Sequence, residues 1–313
     1  MGLFPKNLNE YVAQLGIPRG PKSQAFLVDT VNGDDDNNGQ SWQKPLASLE
    51  AAEDLCTAEQ HDTVLFLPGD TADSPTAAIA WDKDHTHLIG LGAPFEGMGN
   101  RNRVVGTAAL DLTPVITFSG RGCIVKNMQF QNLKDASETS GTVLVSGPYN
   151  YFENVYFNGM NHATAGAQAG SYCLSVTGAE NLFVNSTIGS CQTIRAAANA
   201  EMLVTNGANT WRHCRFQAYS ETSGKFLVSV SPPVGGLGDL VFEDCFFYCQ
   251  TVNWATGIAA AFHVGSGGSH YVVLRGHNDF LGCTAVADTL THVYAPNAAA
   301  DVSGLLMIAV AES

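Results

Sequence analysis

The sequence predicts an all-β solenoid, a β-helix of stacked coils, on three observations. Six short runs between Pro114 and Cys283 follow one template: an aromatic residue or Val, any residue, then Asn, Asp or His, and Phe or Ile three residues later. They read Val125 to Phe130, Phe152 to Phe157, Phe183 to Ile188, Trp211 to Phe216, Phe242 to Phe247, and a looser Val273 to Phe280; the polar position recurs at 127, 154, 185, 213 and 244, in steps of 27, 31, 28 and 31 residues. Second, Phe118, Val145, Val176 and Val204 each stand 9 residues before the polar position of their repeat, followed by Ser or Thr and soon by Gly. Third, no ten-residue stretch of this region keeps helical spacing. Short strands and Gly-bearing turns at a period near 30 residues must stack, because one such unit cannot bury its apolar face alone.

Composition agrees. Of 313 residues only 14% are charged and 32 are Gly, which suits stacked strands with small-residue turns and not a disordered chain. The net charge of −14, with Lys and Arg scattered, argues against nucleic acid as a partner. No run reaches the apolar length of a membrane span, and the first 20 residues lack the basic start and apolar core of a secretory signal. The eight Cys form no CxxC pair; Cys214 and Cys245 hold equivalent places in successive repeats, and free thiols in a reducing cytoplasm are expected.

In chain order, residues 1–22 read as an arm and 23–313 as a single β-helix domain. Within that domain the opening segment is 23–70, the repeats run from about 71 to 300, and an apolar terminal strand spans 303–311. In the arm, Asn7 and Glu10 form a capping box, and Leu8, Tyr11, Val12 and Leu15 share a helical face. That face either plugs the end of the core or docks the protein on something larger. In the opening segment the strand Phe26 to Asp29 leads into an Asn/Asp/Gly-rich turn. A helix follows with Leu46, Leu49, Ala52 and Leu55 inward, then a strand from Thr63. Asp34, Asp35 and Asp36 lack the spacing of an EF-hand loop and are expected to bond their own backbone in a turn.

The order "NGDDDNNGQSWQKP", "LASLEAAEDL", "TVLFLPGD" resembles the opening segment of many right-handed parallel β-helix proteins, common among phage structural proteins, tail spikes and related proteins that bind or cleave surface polysaccharide. The resemblance implies that fold, right-handed, with one N-terminal capping helix. It covers about 45 residues and says little about activity, since one fold hosts many functions.

Two weaker rungs are expected around residues 86–92 and 103–106, with His85 and His87 on one face but no further metal ligands beside them. From residue 114 the repeats follow, with loops at about 132–141, 158–171, 189–200, 217–225, 231–239 and 249–260, all emerging on one side. Asn127, Asn154, Asn185, His213 and Asp244 then form a column at a bend between two strands. Residues two before and one after the column point inward. Asn suits such a bend because it tolerates a left-handed backbone and its amide reaches the rungs above and below. The likeness to pectate-lyase-like β-helices implies an asparagine ladder of this kind, so the column is read as structural.

Catalysis on a polysaccharide needs paired carboxylates at a defined separation. Glu153 and Glu243 share a position but lie three rungs apart, about 15 Å at strand spacing, while Asp135, Glu138, Glu221 and Asp279 fall on loops or strand ends. No G-x-S-x-G, H-E-x-x-H or P-loop is present. The expectation is a non-enzymatic virion protein without cofactor or metal: a homotrimeric capsid decoration or head surface protein that binds the major capsid protein or another virion protein. The rivals are a tail-spike-like polysaccharide-degrading enzyme, and a glycan-binding adhesin using Tyr149, Tyr151, Tyr219 and Trp254. The apolar run from Leu305 through Leu306 and Ile308 to Ala311 would be an aggregation-prone edge if bare, so a neighbouring subunit is expected to cover it.

Overall fold

The computed structural model describes residues 7–92, 102–135, 138–195, 200–220, 224–231, 238–251, 257–265, 272–289 and 293–295. Leu305, Leu306, Ile308, Glu221 and Trp254 lie outside the described residues.

Each six-residue template run splits into two strands at its polar residue, so a coil has three strands. One coil runs Gly141–Val145, Tyr151–Glu153, Tyr156–Met160, and the next runs Tyr172–Val176, Leu182–Val184, Thr187–Ile188. Stacking of like on like builds three parallel sheets. Sheet A, of ten strands, takes the strand before the polar column; sheet B, of seven, the strand after it; sheet C, of eight, the strand that carries Val145 and Val176. The registers are those of the template: Phe152 pairs with Val125 and Phe183, and Val176 with Val145 and Val204. The chain is a right-handed parallel β-helix.

Identical register puts identical side chains one above another, and the core is built from those columns. In sheet A, Phe152, Phe183, Trp211 and Phe242 stack with ring centroids 4.8, 5.4 and 4.7 Å apart. In sheet B, Phe216, Phe247 and Phe280 stack at 4.8 and 4.7 Å. These distances match the spacing of neighbouring strands, and each fully buried aromatic contributes roughly 1.5–3 kcal/mol of burial.

The helix α2 (Leu49–Leu55), capped by Ser48 Oγ accepting from Ala51 N, covers the open end of this core with Leu49 and Ala52. The helix α1 (Leu8–Gln14), capped by Asn7 Oδ1 accepting from Glu10 N, does something the two readings of its apolar stripe did not include. It lies on the outer face of sheet A, where Leu8 and Val12 are buried with Ala25, Leu27, Leu65 and Ile89. Tyr11 meets Trp42 edge-on at 5.6 Å, and Leu15 is the exposed member of the four.

Two organisational expectations change. Residues 86–92 and 103–106 are not two rungs but two strands of one coil, His87–Gly90 in sheet A and Arg103–Gly106 in sheet B, joined by a long segment instead of a tight corner. The loops do not all leave one side either: that at 231–239 follows the sheet C strand Phe226–Val230 and leaves at the C-to-A corner, whereas the others leave at the B-to-C corner. Strands Arg215–Ser220 and Phe246–Thr251 also extend into stretches read as loop. Gly- and Pro-rich composition marks a loop without saying which corner it leaves from. The run Asp34–Asp36 is a turn as expected: Asp35 accepts from Ala47 N, Ser48 N and Ser48 Oγ, and Asp34 from Asp36 N.

Candidate functional site

The polar column sits at the A-to-B corner, and all five members adopt the left-handed conformation, with φ of 56, 53, 48, 51 and 53° for Asn127, Asn154, Asn185, His213 and Asp244. Asn154 Nδ2 donates to Asn127 Oδ1 at 2.8 Å, and Asn127 Nδ2 to Gly90 O at 3.2 Å, so amides connect successive coils. Higher up, His213 Nε2 and Asp244 Oδ2 are 3.8 Å apart, and Asp244 Oδ1 accepts from His277 N at 2.7 Å. The flanking residues Val125, Phe152, Phe183, Trp211 and Phe242, and Met128, Val155, Ser186, Cys214 and Cys245, are all buried. The column occupies one corner of five successive coils, and its amides link the coils of Gly90, Asn127 and Asn154.

Just before it, on the outer face of sheet A, Lys126 and Glu153 form an ion pair at 2.8 Å, and Arg212 and Glu243 one at 2.6 Å. Arg275 is in register with Glu243. The other carboxylates singled out in the sequence are engaged too: Asp135 with His162 at 3.2 Å, Glu138 with Lys134 at 3.8 Å, and Asp279 with His277 at 2.9 Å. Each of these carboxylates therefore has a cation or imidazole within 3.8 Å, and Lys134 is shared between Glu138 and Asp111.

On the outer face of sheet B, Phe246 and Tyr248 present parallel rings 6.0 Å apart, and the Arg215 guanidinium lies 5.6 and 5.8 Å from their centroids. Of the aromatics expected on the loop side, Tyr149 is exposed, while Tyr151 is half-buried beside Lys126.

Two groupings escaped the sequence reading. The first is a histidine cluster beside the opening segment. His87, on sheet A, is buried; its Nδ1 accepts from Ile124 N at 3.2 Å, so its proton is on Nε2, which donates to His61 Nδ1 at 3.1 Å. Burial, then the neighbouring His61 and His85, lower the His87 pKa to about 3. His85 stands on the same side, its ring 5.3 Å from that of His61, and pairs with Glu59, which also binds Arg121. Nothing in the local spacing brings residue 61 to residue 87; coiling does.

The second grouping is buried at the B-to-C corner. Glu201, the second residue of strand Ala200–Val204, faces Lys225 Nζ at 2.6 Å from Oε1 and Arg195 Nη1 at 3.6 Å from Oε2. Cys173 Sγ donates to Oε2 at 2.7 Å. Arg195 also donates through Nη2 to Ser171 O at 2.6 Å and Ala200 O at 3.3 Å. All four side chains are at most 2% exposed. Burial opposes ionisation of Glu201, but Arg195 and Lys225 outweigh it and hold its carboxyl below the usual range. Burial pushes the Lys225 pKa down, and burial with the adjacent Glu201 pushes the Cys173 thiol up to about 12. The available signal was Glu201 itself, a charge inside an otherwise apolar strand.

No protein-family model matches the chain, and no curated protein matches it by sequence. Solved structures do match in shape. A pectin methylesterase in complex with a hexasaccharide aligns at a TM-score of 0.59 and 11% identity, covering 88% of this chain and 81% of that one. The pectin methylesterase PemA from Erwinia chrysanthemi aligns at 0.57 and 11%, covering 90% and 92%. The pectate lyase Pel9A aligns at 0.53 and 15%, covering 82% and 62%. The shared property is the pectate-lyase-like parallel β-helix. At these identities the likeness describes the scaffold, and function has to be argued from this chain's own side chains.

Proposed function

We propose that the chain is a non-catalytic surface protein of a phage particle, a homotrimeric decoration or head-associated protein seated on the major capsid protein or another virion protein. The observation that carries the reading is the pairing of the outer-face carboxylates. Glycoside cleavage needs one carboxyl kept protonated and a second close by, whereas Glu153, Glu243, Asp135, Glu138 and Asp279 each sit against a basic side chain. The opening segment, which resembles that of phage structural β-helices, supplies the context. In sequence, the run from Leu305 to Ala311 is apolar throughout, a composition suited to burial against a neighbouring subunit.

Mass spectrometry of purified particles is expected to find this chain, and native mass of the isolated protein is expected to give three copies. Particles lacking the chain overturn the location, and release of reducing ends or unsaturated products from surface polysaccharides overturns the non-catalytic part.

One observation favours glycan binding as a second reading. Parallel rings at an outer face beside a guanidinium, as in Phe246, Tyr248 and Arg215, suit the apolar face and hydroxyls of a sugar. A glycan array with no hits, or hits unaffected by Y248A, removes it.

A further inference from the structure

The contact between Lys225 and Glu201 is not an ordinary ion pair. Nζ and Oε1 are 2.6 Å apart, and among the described residues neither atom has a hydrogen bond to any other group. A fully buried ammonium left in that state is costly, since burial is tolerated only when the donors are satisfied. The other carboxylate oxygen is handled differently: Oε2 accepts from the Cys173 thiol at 2.7 Å and lies 3.6 Å from Arg195 Nη1. One oxygen accepts from a thiol and lies beside a guanidinium, and the other stands alone against an amine.

We propose that Lys225 and Glu201 condense into an intramolecular amide that ties two adjacent coils together. The step balances without any co-reactant. Proton transfer inside the buried pair gives a neutral amine and a neutral carboxyl. The Nζ lone pair attacks Cδ, and the developing negative charge collects on Oε2, where the Cys173 S–H and the Arg195 guanidinium stabilise it as preorganised donors do in acyl transfer. Oε1 takes two protons from Nζ and leaves as water. The product is a Cδ–Nζ bond with one N–H, and Oε2 is retained as its carbonyl oxygen between the same two donors.

Three further features support the step. Lys225 has its pKa lowered by burial, which favours the nucleophilic amine. Two reactants held in contact by a rigid scaffold have effective concentrations on the order of 10⁵–10⁸ M. The scaffold here is rigid at both ends, because Ala200 and Phe226 are register partners in sheet C and Glu201 and Lys225 are their immediate neighbours. Gly159 also preserves the room: a Cβ there would lie 1.9 Å from Cys173 Sγ and displace the thiol from Oε2.

The intact mass of the purified wild-type chain, denatured and reduced, is expected to be one water below its sequence mass. Digestion is expected to release a branched peptide joining the segments around Glu201 and Lys225. The K225M chain is expected at its own full sequence mass. A wild-type chain at full sequence mass, with the Lys225 amine open to acylation after denaturation, overturns the proposal. So does a water loss that persists in K225M. Both readouts are made on denatured chains and are independent of how well a variant folds.

Discussion

The two corners where loops could have been drawn alike are built on opposite principles. At the A-to-B corner five successive coils use one residue in a left-handed conformation, and those coils differ only in whether that residue is Asn, His or Asp. At the B-to-C corner the connecting segments differ in length from coil to coil, and at one place Glu201, Arg195, Lys225 and Cys173, contributed by different coils, meet in a buried cluster. The first corner is a local backbone solution repeated; the second is a single non-local one. Energy follows the same division: small and distributed at the repeated corner, large and concentrated at the other.

That comparison can be broken most sharply at Glu201. Replacing it with Ala leaves Arg195 and Lys225 buried without a counter-charge, and removal of one partner from a buried charged group costs about 3–5 kcal/mol. The unfolding free energy of E201A from denaturant titration is expected to fall by that amount, or the protein to fail to accumulate folded. A loss below about 1 kcal/mol would place the B-to-C corner in the same class as surface pairs.

Acid sharpens the comparison from the other end of the molecule. The His87 pKa lies below its usual 6.5, at about 3. Between those values the unfolded chain binds a proton that the folded one does not. The contribution is therefore complete above pH 6.5 and is lost as pH falls, at about 1.4 kcal/mol per pH unit. Lowering pH from 6.5 to 5 is expected to cost about 2 kcal/mol more in the wild type than in H87Q. Equal pH slopes in urea unfolding of the two proteins would remove His87 as the cause.

At the repeated corner the effect is smaller. Asn154→Ala loses the amide bond to Asn127 and puts a Cβ residue with no local side-chain hydrogen bond in the left-handed region. Together these cost about 2 kcal/mol. Asn154→Gly keeps the backbone freedom and is expected to cost about half as much. If the two variants are equally destabilised, the amide rather than the backbone carries the corner.

The smallest effect is expected on the outer face of sheet A. Lys126→Ala removes an exposed pair with Glu153 and is expected to change stability by less than about 1 kcal/mol, with the difference shrinking as salt is raised.

The fold was legible because the polar column, its inward neighbours and the apolar residue 9 positions earlier are all local in sequence, and a coil repeats them. The same locality exposed the cap of α1 and the turn at Asp34, where a side chain bonds backbone two or three residues away, but not the reach of Asp35 to Ala47 and Ser48. It did not reveal that α1 lies on the flank of sheet A, that residues 87–90 and 103–106 share one coil, or that the loop at 231–239 leaves from another corner. Those depend on which coil lies beneath which.

By itself, then, the sequence determined the rung: its strands, its left-handed corner and its stacked aromatic core, since periods of two residues along a strand and about thirty along the chain are set by backbone geometry. Only the tertiary structure decided the partners of the unique side chains. Ion pairs joining Lys126 to Glu153 and Arg212 to Glu243, the hydrogen bond between His61 and His87, and the buried meeting of Arg195, Glu201 and Lys225 arise where coiling superposes residues 22–31 positions apart or brings loop residues against a strand. A repeat fixes that such superpositions occur; the lengths of the intervening loops fix which residues meet.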